Sequence, residues 1–424
     1  MKIYVSSLGC KLNQSEMDSL AGQLAASGHE VVDSAARADL CVLNTCAVTH
    51  VAAQKSRQAL RRLHRDNPQA RLIATGCYAE LEPEALESLP GVDRVVGNPE
   101  KERLGNLIGA SAAWRKDLGP GAHIPRTRTR ALVKIQNGCD NACTYCIIHV
   151  ARGPQHSRPA DEILAEVRAL LADGYQEIVL TGVHIGAYGR DRQREPAETD
   201  LWRLVSRILS ETDVPRLRLS SIEPWDLSDQ AFQLWDDPRL CRHLHLPLQS
   251  GCNATLRRMA RRYTTGEFEA WVAAARAAVP DLAVTTDVIV GFPGETEDEF
   301  AQSLDFVQRI EFSRTHVFPF SARAGTPAEK MPDHVSPQVK AQRARAMRKL
   351  TSISQLAFSQ SYIGRTLDVL WEAERERQEG TFWSGLTDNY LRVYARNSAD
   401  LANRLVPARL VATAGNNLLG EIET

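Results

Sequence analysis

Short apolar runs alternate along this chain with longer stretches whose apolar residues recur every three or four positions. In the first hundred residues, 3–7, 40–43 and 71–75 read as buried strands, and 13–26, 50–67 and 83–89 read as amphipathic helices. That alternation predicts a small doubly wound parallel sheet over residues 1–110. A polar stretch bearing Gly and Pro, 111–130, reads as a linker. From 131 to 358 strands are expected at 132–135, 177–180, 216–219, 243–246, 283–290 and 315–318. Helices are expected at 160–172, 200–210, 265–278, 297–310 and 337–358. Six strand–helix units predict a partial (β/α)6 barrel, open where a full barrel would close. Beyond Ser361 the runs become short and alternating, as at 366–371 and 389–394, with turn signals between them. A small antiparallel β-barrel is expected over 361–424. The fold class is α/β with this β-barrel appended.

The cysteines change the picture most. There are 9, an odd number in a long chain, which argues against a disulfide framework and for metal or redox use. Cys139, Cys143 and Cys146 are spaced C-x-x-x-C-x-x-C in one predicted loop after the first barrel strand. A structural zinc site closes with four ligands, and a 4Fe–4S cluster normally takes four thiolates. Three thiolates hold a cubane and leave one iron open to a substrate; half of a zinc site is the alternative. Cys10, Cys46 and Cys77 each follow one of the three N-terminal strands. In an open parallel sheet the carboxyl ends of the strands line one edge, where ligands bind. A second three-thiolate site is therefore expected, against the plainer reading of three separate core cysteines. Cys41, Cys241 and Cys252 read as small hydrophobes.

Charge adds less. The net charge is −1, so no global basic field advertises nucleic acid. Arginines do cluster locally, at 57–65, 126–130 and 257–262, and aromatic and basic residues interleave after 365, a pattern that suits single-stranded RNA. The plain alternative is that those aromatics fill the small barrel. No apolar run approaches a membrane span, and the N-terminus has no signal-peptide core, so a cytoplasmic protein without membrane partners is expected.

The loop Asn137-Gly138-Cys139-Asp140-Asn141-Ala142-Cys143-Thr144-Tyr145-Cys146 resembles that of the radical-SAM superfamily, which commonly has an aromatic before the last cysteine. Gly9-Cys10-Lys11-Leu12-Asn13, Asn44-Thr45-Cys46 and Gly76-Cys77-Tyr78 resemble the three N-terminal motifs of its methylthiotransferase family. Gly385-Leu386-Thr387-Asp388-Asn389-Tyr390 resembles that family's RNA-binding TRAM domain. Leu180-Thr181-Gly182-Val183-His184-Ile185-Gly186 and the stretches 219–224, 243–251, 287–296 and 316–321 resemble the branch acting on threonylcarbamoyladenosine in tRNA. The resemblance implies two 4Fe–4S clusters, one on each cysteine triad. It implies two S-adenosylmethionine molecules per turnover, and transfer of a methylthio group to C2 of N6-threonylcarbamoyladenosine at position 37 of tRNA. An external electron donor and a sulfur source are implied without being identified. Tyr145, Gly182, Glu223, Gln249 and Gly291 become candidate cofactor contacts. Arg152 and Arg323 become candidate partners for the substrate carboxylate, which arginine binds bidentately. His149 stands where the family usually has proline. Alternative targets are isopentenyladenosine in tRNA or an aspartate of a ribosomal protein. An alternative of another class is a non-catalytic, zinc-stabilised RNA-binding protein.

Overall fold

Strands β1 (Lys2–Ser7), β2 (Glu30–Val32), β3 (Leu40–Thr45), β4 (Arg71–Gly76) and β5 (Arg94–Val96) form a parallel sheet in the order β2-β1-β3-β4-β5. Every residue of β3 is buried, as a central strand covered on both faces requires. β2 and β5 have only three residues each, too few to show a period, so the hydrophobic pattern marks the three inner strands alone. The structure, a computed structural model, describes residues 1–101, 103–109, 128–192, 200–377 and 380–422. The predicted linker 111–130 lies outside them except for its last three residues.

The second series comprises β6 (Arg130–Lys134), β7 (Gln136–Asn137), β8 (His156–Ser157), β9 (Glu177–Thr181), β10 (Arg216–Leu219), β11 (His243–His245), β12 (Ala283–Val290) and β13 (Arg314–Pro319). β7 and β8 pair antiparallel across the loop that holds Cys139. The others form two parallel sheets, β10-β9-β6 and β11-β12-β13, joined by isolated bridges Leu217↔Leu240 and Ser221↔His245. The result is a six-stranded barrel with free edges at β6 and β13. Its helices follow the expected pattern: Leu201–Glu211 buries Leu201, Leu204, Val205, Ile208 and Leu209, the i, i+3, i+4, i+7, i+8 face. Capping boxes start Thr265–Ala278 and Glu297–Ile310. Helix Lys11–Ala26 of the first domain packs over edge strand β6, and Ser15 Oγ donates to Leu132 O at 2.9 Å. Helix Pro337–Gln360 lies along the other edge, β13. Among the described residues no helix is long and apolar enough to cross a membrane.

β14 (Thr366–Arg377), β15 (Gly380–Thr387), β16 (Arg392–Arg396), β17 (Leu405–Ala414) and β18 (Asn417–Ile422) close into a barrel in the order β14-β15-β16-β18-β17. Its aromatic residues divide. Trp371 and Trp383 fill the core, whereas Phe382 stays partly exposed with Arg396 over its ring at 5.4 Å. Tyr390 does neither, stacking on His243 of β11 at 4.5 Å.

That stack belongs to a polar seam at the amino-terminal mouth of the six-stranded barrel. Arg218 has no exposed surface and bonds Glu177, likewise wholly buried, at 2.6 and 3.2 Å. Its remaining donors go to Asp388 O (2.8 Å) and Thr387 O (3.2 Å) of the small barrel. Burial pushes the Glu177 carboxyl up, but Arg218 and Arg130 outweigh that and hold it below the usual carboxylate range. Breaking a buried pair by removing one partner strands the other charge. Glu177→Ala is therefore expected to cost about 3–5 kcal/mol in denaturant unfolding. Replacing both partners by leucine and methionine should recover most of that loss.

Candidate active site

Cys10 caps helix Lys11–Ala26 three residues past β1, Cys46 directly follows β3, and Cys77 opens helix Cys77–Leu81 directly after β4. Because β1, β3 and β4 are adjacent and parallel, the three thiols meet at one sheet edge. The approach is close enough to require glycine. Gly9 and Gly76 both have φ +101°, and a Cβ on Gly9 would lie 2.7 Å from Cys46 Cβ and 2.8 Å from its Sγ. Asn13 Nδ2 donates to Leu8 O (2.8 Å) and Thr45 O (3.1 Å), tying the Cys10 and Cys46 loops together. Asn98 Nδ2 lies 3.9 Å from Cys77 Sγ. Burial pushes the Cys46 thiol up to about 11, and Cys77 and Cys10 add to the rise. Cys10 itself remains exposed.

The second triad sits past the carboxyl end of β6. Its loop is pinned by Thr144, whose N–H donates to Met259 O (3.1 Å), whose Oγ1 donates to Arg258 O (2.8 Å) and whose carbonyl accepts from Ala328 N (2.9 Å). Asn141 N–H points at Cys139 Sγ (3.4 Å) and Arg261 Nη1 at Cys143 Sγ (3.6 Å). Burial pushes the Cys146 thiol up to about 12, with Cys143 and Cys139 adding to it. The five candidate cofactor contacts lie at the same end of the barrel. Tyr145 stands edge-on to Phe292 at 6.4 Å. Gly182 follows β9, and a Cβ there would lie 2.9 Å from both Gln136 O and Oε1. Glu223 pairs with Arg261, which stacks on Trp225 and Tyr263 at 5.0 Å each. Gln249 has φ 64°, and Gly291, after β12, has φ 70°.

Two contributors escaped the sequence reading. Arg261 belonged to a run read as charge at 257–262, and only its burial separates it from its neighbours. His184 lay inside a quoted stretch without a role. Its Nε2 is 2.6 Å from Asp226 Oδ2, and Gly186 leaves that carboxylate the room a Cβ would take. Burial lowers the His184 pKa, but hydrogen bonds to Asp226 and Cys139 outweigh it and hold it up to about 9.

The two candidate carboxylate partners both lie at the seam between the first domain and the barrel. Arg152, 7% exposed, ends helix Ile148–Arg152 behind the Cys146 loop. It bonds Glu16 Oε1 (2.8 Å), Asn137 Oδ1 (2.8 Å) and Asn13 Oδ1 (2.6 Å). Lys101 Nζ is also 2.8 Å from Glu16, and Lys134 Nζ is 3.9 Å away. Burial pushes the Glu16 carboxyl up, but Arg152 and Lys101 outweigh it and hold it well below the usual range. Arg323, 5% exposed, pairs with Glu82 at 3.0 Å, and its Nη1 lies 3.4 Å from His50 Nδ1. Its buried Nε has no partner among the described residues.

Among the described residues no three His, Cys, Asp or Glu side chains converge closely enough for a single metal ion. A zinc ion draws its ligands onto one centre, whereas an iron–sulfur cube gives each thiolate its own iron. Three thiols carried to one sheet edge by adjacent strands are a donor set that such a cube accepts.

The family described as "Uncharacterized protein family UPF0004" matches residues 2–97, and the Radical SAM superfamily matches residues 133–307. The chain is 37% identical over 420 residues to "Threonylcarbamoyladenosine tRNA methylthiotransferase MtaB" of Bacillus subtilis (strain 168), covering 95% of this chain and 92% of that one. It is 36% identical over 381 residues to the protein of the same name from Thermotoga maritima, covering 87% and 86%. A "tRNA-2-methylthio-N(6)-dimethylallyladenosine synthase" of Syntrophotalea carbinolica is 34% identical over 437 residues, covering 99% of each chain. Among solved structures, the radical S-adenosylmethionine methyltransferase TsrM from Kitasatospora setae, with cobalamin and a 4Fe–4S cluster bound, superposes with a TM-score of 0.56. That match has 15% identity and covers 77% of this chain and 74% of that one, a likeness of fold. With relatives this similar over nearly its whole length, the chain belongs to the radical-SAM methylthiotransferase family, enzymes that use S-adenosylmethionine and a 4Fe–4S cluster.

Proposed function

We propose that this enzyme transfers a methylthio group to C2 of N6-threonylcarbamoyladenosine next to the anticodon of tRNA. The observation that carries the reading is the pair of three-thiol sites, each at the carboxyl edge of its own parallel sheet. When bound, a cluster on Cys139, Cys143 and Cys146 supplies the electron that cleaves S-adenosylmethionine, and a cluster on Cys10, Cys46 and Cys77 supplies the sulfur. An external donor provides the electrons, and sulfur is replenished from outside the chain. The division of labour follows the domains: 1–110 for the sulfur site, 131–358 for the radical site and 361–424 for RNA, in a cytoplasmic enzyme.

The chain's own residues do the rest. Arg261, held by Glu223 and two aromatic faces, keeps a fixed positive charge beside Cys143. Tyr145, backed by the buried Phe292, lines the cofactor side of the cluster loop, while Gly182 and Gly291 admit Gln136 and Lys340 against the strand ends where the cofactor would lie. A threonyl carboxylate needs a cation at the cleft between the domains. Arg152 has both terminal nitrogens bonded to Asn13, Asn137 and the buried Glu16 carboxylate, so that role falls to Arg323, whose carboxylate partner Glu82 is half exposed.

Substrate identity is tested by offering reduced, reconstituted enzyme two tRNAs, one bearing threonylcarbamoyladenosine and one isopentenyladenosine. Nucleoside mass spectrometry should find methylthiolation on the first only; a preference for the second would overturn the substrate assignment. Arg323→Met should lower kcat/KM for the first tRNA about 10–100-fold, the range for losing a hydrogen bond to a charged group. Cys46→Ala should still release 5′-deoxyadenosine yet form no methylthio product. Product formation by that variant would rule out the sulfur role of the first triad.

A further inference from the structure

The two thiol triads stand on separate hydrophobic cores, so their spacing is set by contacts across the seam. Those contacts converge on one place. Arg152 ends the short helix that follows Cys146, and Asn13 and Glu16 lie in the first turns of the helix that Cys10 caps. Asn13 accepts from Arg152 Nη2 while its own amide holds the carbonyls of Leu8 and Thr45, beside Cys10 and Cys46. The third thiol is reached through the neighbouring residue: Asn98 Nδ2 donates to Ala151 O at 2.5 Å and lies 3.9 Å from Cys77 Sγ. On the barrel side, Arg152 Nη1 bonds Asn137 Oδ1, two residues before Cys139. One guanidinium and the residue before it therefore touch the support of every cysteine loop in the first domain and of the Cys139 loop in the second.

We propose that Arg152 is a positioning residue that fixes the separation of the two triads and so couples radical formation to sulfur transfer. The inference rests on the two-cluster reading above. Its chemistry needs arginine in particular. Asn13, Asn137 and both oxygens of Glu16 are engaged from two nitrogens of one rigid plane, a fan that a single ammonium cannot reproduce. The seam does not need Arg152 to stay charge-balanced, because Lys101 alone still pairs with Glu16 at 2.8 Å. Removing the fan should therefore loosen the spacing and leave the fold standing. The adenine carbon must meet the radical and then the sulfur in one bound pose, and a misplacement of about 1 Å costs on the order of 100-fold in such reactions.

The test uses full-length Arg152→Met and Arg152→Lys, reconstituted anaerobically and assayed with tRNA bearing threonylcarbamoyladenosine. Both should stay folded with a lowered melting temperature, keep the wild-type iron content and still cleave S-adenosylmethionine. The ratio of 5′-deoxyadenosine to methylthiolated nucleoside should rise about 10–100-fold. Electron-spin dipolar coupling between the two reduced clusters should spread to a broader range of distances. Unchanged ratio and coupling would overturn the proposal. Loss of first-domain iron in both variants would also overturn it, since Arg152 would then retain the cluster rather than place it. If Arg152→Met does not fold, the lysine variant decides alone, because it keeps the charge and loses only the fan. Wild-type protein holding the iron of a single cluster would instead defeat the two-cluster reading itself.

Discussion

A buried carboxylate in a seam between two domains has few acceptable arrangements, and Glu16 has taken one of them. Stripped of water, its charge costs several kcal/mol unless cations and donors surround it. Arg152, Lys101 and Asn44 supply them at 2.8–3.1 Å. Of these only Arg152 belongs to the barrel, so any slide of the first domain along β6 would break its bonds to Glu16 and Asn13 together. The ion cluster is thus a poor source of net stability and a strong constraint on relative position. Arg218 and Glu177 repeat the device at the opposite mouth of the barrel, where they fix the small β-barrel through its Thr387 and Asp388 carbonyls.

Everything at the cleft follows from that placement. Both parallel sheets bring their cysteines to the carboxyl ends of their strands, the usual ligand edge of such sheets. Left free to rotate, the two edges would face anywhere. Held by Glu16 with Arg152 on one flank and by the contacts of Arg323 with Glu82 and His50 on the other, they keep one relative orientation. Each cysteine loop is then trimmed locally: Gly9 makes room for Cys46, Thr144 pins the Cys139 loop, and Arg261 stands over Cys143. Desolvation pushes the Cys46 and Cys146 thiols up, so ligation, which takes the thiolate, is coupled to proton release.

Much of this was legible in the sequence because periodicity reports burial. The three inner strands of the first sheet, the six barrel strands and their long helices all carry continuous or amphipathic apolar patterns. The convergence of Cys10, Cys46 and Cys77 was legible through topology, since each follows a strand. What stayed hidden was pairing. Arg152 and Arg323 read as free cations near the site, but their partners Glu16 and Glu82 lie 136 and 241 positions away, and no local pattern announces such bonds. His184 was hidden for the same reason, its partner Asp226 lying 42 positions on. Trp371 and Trp383 looked equally suited to stacking RNA bases and to filling a barrel. Strand register decided for the core, leaving Phe382 and Arg396 at the surface.

The central claim is that two separate three-thiol sites each hold an iron–sulfur cube. The most direct measurement is iron and acid-labile sulfide per chain after anaerobic reconstitution, with Mössbauer spectra to count cluster types. The account predicts about eight irons and eight sulfides in two cubanes. About four irons in one cubane, or a colourless protein holding zinc, would contradict it.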